Sequence, residues 1–445
     1  MSIRHSLKSL VEAAPESLVK PLIYVPYTLR LGAGYWRSCD EILKFQCKSV
    51  SEQEEKCFYR LRELVHFAAD KIPFYQEFYR EKGFSVDQLD SWDDWGKVPV
   101  VTKADLQNYS LRSRSLSTSK KVEVNTGGTS GQPLHFFLDS SAFAREWAHM
   151  HFFWKARGYR PYHVKLTFRG KHFDQRQPIR YNAVHNEYVV NSSCAMNTVA
   201  EAVMALPQDN IIRWLHGYPS LIAEFAHSLS HFPDASVTTF RSRLFGILLG
   251  SEYPAPSYRR VIESVLSNNI VSWYGHSEMA VLARETSLGV YESMPTYGYA
   301  EAVTIDQSSE QHLVATSLHN RVHPFIRYDT GDLIEPLSQQ GGALEFRITE
   351  GRVGDFVRDL QGKRHSLTAI IFGRHHPSFS FLQHIQVREE SPGNITLVAT
   401  PQDKAISPQK LMSGFDLDDL DIQWQLEVVE SPVRTPAGKI RLKIA

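Results

Sequence analysis

A glycine- and hydroxyl-rich segment near one quarter of the chain has the composition of a phosphate-binding loop. Its residues are Thr126, Gly127, Gly128, Thr129, Ser130 and Gly131. Glycine permits positive φ and a close approach of backbone amides to a polyphosphate, and the hydroxyls add donors. No Gly-Lys-Ser/Thr follows, which excludes a Walker A loop. The segment predicts a phosphate site, with a polar surface turn as the alternative.

A second stretch of polar residues directly follows an apolar run typical of a buried strand. It consists of Tyr274, Gly275, His276, Ser277 and Glu278. Loops at the carboxyl ends of sheet strands are where α/β proteins bind ligands. The tyrosine ring suits stacking on a base, and the glutamate suits Mg²⁺. An ordinary turn with a capping glutamate is the alternative.

Two further stretches carry side chains suited to a pair of ribose hydroxyls. Asp332 ends the motif Arg-Tyr-Asp-Thr-Gly-Asp, and its carboxylate can accept two hydrogen bonds. Arg352 lies in Gly-Arg-Val-Gly-Asp, where the composition of the chain changes. A charged hairpin turn and a linker turn are the respective alternatives.

The last two candidates are a hinge and a cationic residue close to the end of the sequence. Gly354 lies at the change in composition, and glycine tolerates the dihedral changes of a hinge. Lys439 follows Pro-Ala-Gly and precedes a strand-like run, so it can present one ammonium group. A basic edge strand is the alternative for Lys439.

The candidate residues must be positioned by helices and strands, and both can be predicted from the sequence. Helical periodicity over 51–82, broken at Ile72-Pro73, predicts a long and a short helix. Residues 121–138 predict strand, loop and strand, followed by a helix over 142–156. Buried strands alternate with a helix between residues 243 and 275, which indicates an α/β sheet. We predict an α/β fold with a large N-terminal domain, 1–351, and a small α+β domain, 352–445.

Composition narrows the class of protein. The chain has 445 residues and equal numbers of basic and acidic residues, 49 of each, so it lacks the positive excess of a nucleic-acid-binding surface. The four cysteines form no CxxC pair, so we expect reduced thiols rather than zinc or disulfides. No run is long and apolar enough to span a bilayer. We expect a cytoplasmic protein, a monomer or homodimer.

The order and spacing of the five motifs resemble the adenylate-forming superfamily of acyl-CoA synthetases, luciferases and adenylation domains. Within it the chain looks like the phenylacetate–CoA ligase branch, and especially the CapK-type proteins linked with capsular polysaccharide biosynthesis. KIPFYQEFY, KVPVVTKADL, LHGYPSLIAEFA, GSEYP and HPFIRYDTGD carry the likeness. The resemblance spans roughly residues 55 to 445.

The resemblance implies a role for each motif. Residues 126–131, with Thr129 among the catalytic residues, would hold the phosphates, and Glu278 would bind Mg²⁺. Asp332 and Arg352 would hold the ribose, Gly354 would be the hinge of a mobile C-terminal domain, and Lys439 would be the catalytic lysine. The residues expected around the adenine are Gly250, Ser251, Glu252, Tyr274, Gly275, His276 and Ser277.

The sequence departs from the superfamily pattern at three places. Gln132 stands where lysine is usual, Gly354 where relatives often have Asp or Lys, and Tyr253 interrupts Glu-Pro. The first weakens the expected grip on pyrophosphate. Glycine at the hinge position should still act as a hinge but offers no side chain to lock either state, and Tyr253 affects the local geometry.

The implied activity is ATP-dependent conversion of a carboxylic acid to acyl-AMP with release of pyrophosphate. Transfer to a thiol, with CoA as second substrate, would follow. Transfer to an amine or hydroxyl of a sugar or amino acid is the alternative, and a non-catalytic nucleotide-binding protein is a third. Trp147, His151, Trp154 and 168–172 are candidates for an acyl pocket, with helix core and a solvated turn as the alternative.

Overall fold

The computed structural model of the protein describes most of the chain. The described residues are 16–118, 121–125, 134–171, 173, 176–207, 211–305, 310–350, 356–367, 370–371, 376–403, 405–417, 420–435 and 440–444.

Helices occupy much of the N-terminal third and the middle of the chain. The α-helices of the described residues are α1 Glu16–Val19, α2 Tyr27–Leu31, α3 Ala33–Gln46, α4 Val50–Lys71, α5 Pro73–Glu81, α6 Trp92–Trp95, α7 Lys103–Gln107, α8 Ala142–Ala156, α9 Met196–Met204, α10 Pro219–Leu229, α11 Asp234–Arg243, α12 Pro256–Val265 and α13 Pro408–Met412. Short 3₁₀ helices cover Lys20–Tyr24, Val86–Gln88 and Pro377–Ser380.

Strands begin after residue 120 and dominate the last third. Those of the described residues are β1 Lys121–Asn125, β2 His135–Asp139, β3 Val164–Lys171, β4 Ile179–Asn182, β5 Glu187–Asn191, β6 Ile212–Gly217, β7 Gly246–Leu249, β8 Ile270–Gly275, β9 Leu282–Ser287, β10 Val290–Ser293, β11 Gly298–Thr304, β12 Gln311–Ser317, β13 Tyr328–Gln340, β14 Ala343–Glu350, β15 Phe356–Arg358, β16 Arg364–Ser366, β17 Leu382–Ser391, β18 Asn394–Pro401, β19 Gln423–Val428 and β20 Lys443–Ile444.

Helix α4 shows how local sequence sets an element and its buried face. Ser49 caps its N-terminus, and the Ser49 amide donates to the Glu52 carboxylate in a capping box. Leu61, Leu64, Val65 and Ala68 recur at helical spacing and are buried. The helix ends at Lys71 with Ile72 as its C-cap, and Pro73 starts α5. The predicted break at Ile72-Pro73 is confirmed.

The chain divides into two compact units. One comprises Met1–Pro26, Arg157–Ser272 and Val353–Ala445, and the other comprises Tyr27–Ala156 and Trp273–Arg352. These units are built from other segments than the two predicted domains, and that domain division stays a prediction.

The first unit contains a mostly parallel sheet in the order β4-β5-β3-β6-β7-β8, to which β8 contributes residues 270–272. Only the edge pair, β4 with β5, is antiparallel in this sheet. Helices α10 and α11 connect β6 to β7, and α12 connects β7 to β8. All four residues of β7 are buried, as a strand covered on both faces requires. The predicted α/β alternation is confirmed.

The C-terminal segment of the first unit has a hydrophobic core of its own. Its sheet has the order β19-β18-β17-β20, and β15 pairs with β16. Val357, Leu397 and Leu411 are fully buried members of its core. The strand predicted at the end of the chain is shorter than expected, because β20 pairs with β17 through only two residue pairs.

The second unit contains an antiparallel sheet in the order β11-β12-β13-β14-β10-β9-β8, to which β8 contributes residues 273–275. The hairpin β1–β2 is separate. The buried face of α4 joins a core with Phe325, Tyr328 and Phe346. Among the described residues, no helix is long and apolar enough to cross a membrane.

Candidate functional site

Tyr274 and Asp332, predicted to hold adenine and ribose, lie in direct contact. Tyr274 is near the end of β8, and its hydroxyl donates a short hydrogen bond to Oδ2 of Asp332. Its ring packs edge-on against Phe346, with ring centres 5.9 Å apart. Asp332 is buried, and its amide donates to the Thr330 hydroxyl. The two motifs therefore meet in one polar cluster.

Glu278 and His276 form a second contact in the loop that joins β8 to β9. Nδ1 of His276 lies 3.1 Å from Oε2 of Glu278, and the Tyr328 hydroxyl lies 3.4 Å from Oε1. Both Glu278 and Tyr328 are buried. Nε2 of His276 is buried and has no hydrogen-bond partner among the described residues. Since Nδ1 donates to the carboxylate, Nε2 of a neutral imidazole is an acceptor, and a hydrogen-bond donor of a ligand would satisfy it.

Arg327 fixes the start of β13. In the sequence it is the first residue of the motif Arg-Tyr-Asp-Thr-Gly-Asp, to which no separate role was assigned. Its guanidinium donates through Nε and Nη2 to the two carboxylate oxygens of Glu301, at 3.0 and 2.9 Å. Nη1 donates to the carbonyls of Gly96 and Val98. Arg327 is buried and has φ of 46°, a strained value for a non-glycine residue. This network fixes the backbone from which Tyr328 and Asp332 project.

The charge of Glu301 is compensated within that network. Burial raises the pKa of Glu301, and the neighbouring Arg327 charge acts in the opposite direction. Trp95 also donates from Nε1 to its Oε1, at 3.0 Å. The pair serves as a rigid support for the predicted ribose site.

In the first unit, Gly250, Ser251 and Glu252 directly follow β7. Ser251 has φ of 69°, and the Gly250 amide donates to the Gly217 carbonyl. Oε2 of Glu252 accepts from the Ser220 hydroxyl at 2.7 Å, and Oε1 accepts from the Ile440 amide at 3.1 Å. The Glu252 carboxylate thus holds a residue of the C-terminal segment.

A buried ion cluster in the same unit was not found by sequence reasoning. Glu224 on α10 is 7% exposed, and its Oε1 contacts both His384 and Arg434. Nε2 of His384 lies 2.7 Å from Oε1 of Glu224. Tyr258 and Nδ1 of His384 are hydrogen-bonded at 3.0 Å. Burial alone would raise the pKa of Glu224, but its contacts with His384 and Arg434 outweigh burial and lower it.

Several predicted site residues lie outside the described residues. They are Thr126, Gly127, Gly128, Thr129, Ser130, Gly131, Arg352, Gly354 and Lys439. The flanks of the first group are described: β1 and β2 pair antiparallel, with Asn125 opposite His135. The flanks of the last are also described, since Arg434 and Ile440 form a β-bridge. The roles of all these residues stay predictions, as do those of the described site residues.

Comparison with known proteins identifies what the chain resembles. No protein-family model matches it. Protein CapK of Staphylococcus aureus is 20% identical over 327 residues, which cover 71% of each chain. The structure of 2-hydroxyisobutyryl-CoA ligase in the postadenylation state with R3-HIB-AMP has a TM-score of 0.64 at 18% identity, covering 88% of this chain and 90% of that one. An open conformation of that ligase, with 2-HIB-AMP and CoA, has a TM-score of 0.54 at 17% identity, with coverage of 89% and 92%.

The predicted resemblance and fold class are confirmed by these likenesses. At this level of identity the solved structures establish the fold. The chain therefore has the fold of the adenylate-forming acyl-CoA ligases and is similar in sequence to CapK.

Proposed function

We propose that the protein activates a carboxylic acid as an acyl-AMP at the expense of ATP. The observation that carries the proposal is the pair of hydrogen bonds from Tyr274 to Asp332 and from Tyr328 to Glu278, on a fold shared with a ligase solved in complex with an acyl-AMP. Asp332 offers acceptor oxygens for ribose, and Glu278 offers an oxygen ligand for a metal.

In the first step a carboxylate oxygen attacks the α-phosphorus of ATP, the bond to the β-phosphate oxygen breaks, and pyrophosphate leaves. The acid is already ionised, so no general base is needed. The obstacle is the approach of two anions, which positioning and positive charge must overcome. We assign that charge to Lys439 and the amides of residues 126–131.

Mg²⁺ fits Glu278, with one carboxylate and the substrate phosphates as ligands. Among the described residues, no group of three or more His, Cys, Asp or Glu side chains could hold a metal without phosphate. When bound, Mg²⁺ would neutralise phosphate charge. The His276 and Tyr328 contacts keep the Glu278 carboxylate oriented in its buried position.

In the second step an acceptor attacks the acyl carbon, the bond to AMP breaks, and the acceptor proton passes to solvent. We propose the CoA thiol as acceptor, in a reaction like that of the phenylacetate–CoA ligase branch. The similarity to CapK supports an amine or hydroxyl of a sugar or amino acid as the second candidate. Transfer to CoA and transfer to an amine or hydroxyl both depend on ATP, and the former also needs CoA. We therefore propose that the enzyme is cytoplasmic.

Exchange of labelled pyrophosphate into ATP tests the proposal. Acid-dependent exchange with a panel of carboxylic acids is expected, and Glu278→Gln should reduce it while the fold is kept. A protein that only binds nucleotide would give no exchange with any acid. The mass of the product formed with CoA or with amino sugars then separates the two acceptor classes.

A further inference from the structure

Arg169 of β3 directly follows the last residue that pairs β3 with β6, beside the carboxyl ends of β6 and β7. In the sheet register, Phe168 of β3 is opposite Gly217 of β6, and Gly217 is opposite Leu249 of β7. Gly217 has φ of 136°, and a Cβ there would lie 2.0 Å from the Phe168 carbonyl oxygen, so only glycine permits this approach. Arg169 therefore shares the carboxyl edge with Gly250, which follows β7.

A buried chain of polar groups supports the Arg169 guanidinium. Its Nη2 donates to Nε2 of His216 at 3.1 Å, and since a guanidinium only donates, Nε2 is unprotonated. The imidazole is thus neutral, with its proton on Nδ1, which lies 3.4 Å from the Thr167 hydroxyl. Thr167 donates in turn to Glu187 at 2.7 Å. His216 is 1% exposed, so the support is rigid.

Among the described residues, the guanidinium has no anionic partner. Nε of Arg169 is buried without a hydrogen-bond partner, and within the part of the chain that the structure describes no carboxylate lies at ion-pair distance. An arginine charge partly removed from water and left unpaired is costly, and an anionic ligand offsets that cost. Arginine is also the side chain best suited to carboxylate recognition.

We propose that Arg169 binds a second anionic group of the acid substrate, so that the preferred substrates are dicarboxylic acids or similarly charged acids. This inference rests on the proposed acid activation. The reacting carboxylate loses its charge as it attacks phosphorus, so an arginine bound to it would stabilise the ground state more than the transition state. A second anionic group keeps its charge throughout, and arginine bound to it contributes affinity and specificity without slowing the step.

Matched acid pairs test the assignment through pyrophosphate exchange. The pairs are succinate with butyrate, glutarate with valerate and phthalate with benzoate. The wild type should prefer the dianionic member of at least one pair. Arg169→Gln should lower kcat/KM for that member about 10- to 150-fold, the value of a charged hydrogen bond, and leave its partner within about twofold. Arg169→Lys should retain part of the preference.

Arg180→Gln is the matched control, because it removes an exposed arginine from the edge strand of the same sheet. It should leave the preference unchanged. An equal fall for both members of every pair, or a rise in KM for ATP alone, would overturn the proposal, because Arg169 would then bind the reacting carboxylate or the nucleotide. A wild type that favours the monoanionic members would overturn it as well.

Direct binding separates this inference from the proposed function. Calorimetry with each dicarboxylate, without ATP, should show binding that Arg169→Gln weakens. If binding depends on Arg169 but no acid supports exchange, the proposed activity fails and the anion site stands. If acids are activated but the dicarboxylates bind both forms equally, the activity stands and the anion site fails. Absence of both binding and exchange contradicts both.

Discussion

Removal of the Glu224 charge should loosen the C-terminal segment selectively. Glu224→Gln keeps the size of the side chain but leaves His384 and Arg434 without their shared anion. Breaking a buried pair by removing one partner costs about 3–5 kcal/mol. Because the Arg434 side chain is 29% exposed and keeps contact with water, we expect the lower end, about 3 kcal/mol.

Amide hydrogen exchange followed by mass spectrometry measures this loss locally. Peptides that cover 382–391 and 429–435 contain His384 and Arg434. A fall of about 3 kcal/mol in the free energy of local opening corresponds to roughly 150-fold faster exchange. Peptides from α4, in the other unit, should exchange at the wild-type rate.

Glu427→Gln is the matched control, since it breaks a pair with Arg388 in which both side chains are partly exposed, at 46% and 32%. An exposed pair contributes little to stability, so this substitution should change exchange far less than Glu224→Gln does. Equal effects of the two substitutions would refute the view that Glu224 anchors the segment through buried charge.

The stabilisation that the Glu224 carboxylate gives to the C-terminal segment should also depend on pH. The folded-state pKa of Glu224 is lowered, so its stabilisation is present above the unfolded-state pKa and is lost as pH falls through the lowered folded-state value. Peptides 382–391 should therefore lose protection in acid in the wild type. In Glu224→Gln this contribution should be absent, and an unaltered acid profile would contradict the assignment.

The other predictions concern the candidate site. In Arg327→Lys the lysine cannot replace the paired contacts with Glu301, so the free energy of unfolding in urea should fall by about 3 kcal/mol. The exposed Arg347→Lys should lower it by under about 1 kcal/mol, and equal losses would refute the view that Arg327 supports the start of β13. Asp332→Ala should raise the KM for ATP about tenfold or more, since charged hydrogen bonds contribute about 1.5–3 kcal/mol; an unchanged KM excludes it from the ribose site. Lys439→Ala should slow adenylation by about 10²–10³ and spare transfer from synthetic acyl-AMP; near-normal adenylation removes it from the mechanism.

Elements governed by local sequence were predicted well. The helix pair α4 and α5 follows from apolar spacing and from Pro73, and β7 follows from its apolar run. These signals depend on residues within a few positions of one another. The backbone around Asp332 is harder to predict from the sequence. A charged hairpin turn is the alternative interpretation of the motif that ends in Asp332, but Tyr328–Gln340 forms one strand. That strand runs through Gly331 because β12 and β14 pair with it on both sides.

The candidate site was predictable in its motifs but not in its supports. Tyr274 and Asp332 could be proposed as nucleotide-binding residues from type and spacing, but their contact joins positions 58 residues apart. Glu224 and Arg434 are 210 residues apart, and no local sequence pattern around either residue predicts their contact. Buried charge pairs formed by tertiary folding leave no periodic signal, so only the structure reveals them.

Transfer of oxygen from acid to nucleotide tests the central claim most directly. The protein would be incubated with ATP, an acceptor and a carboxylic acid labelled with ¹⁸O in both carboxylate oxygens. The mass of the AMP formed would then be measured by mass spectrometry. If the acid attacks the α-phosphorus, AMP released on acyl transfer carries one labelled oxygen. Unlabelled AMP, or formation of ADP and phosphate instead, would contradict acyl-AMP formation.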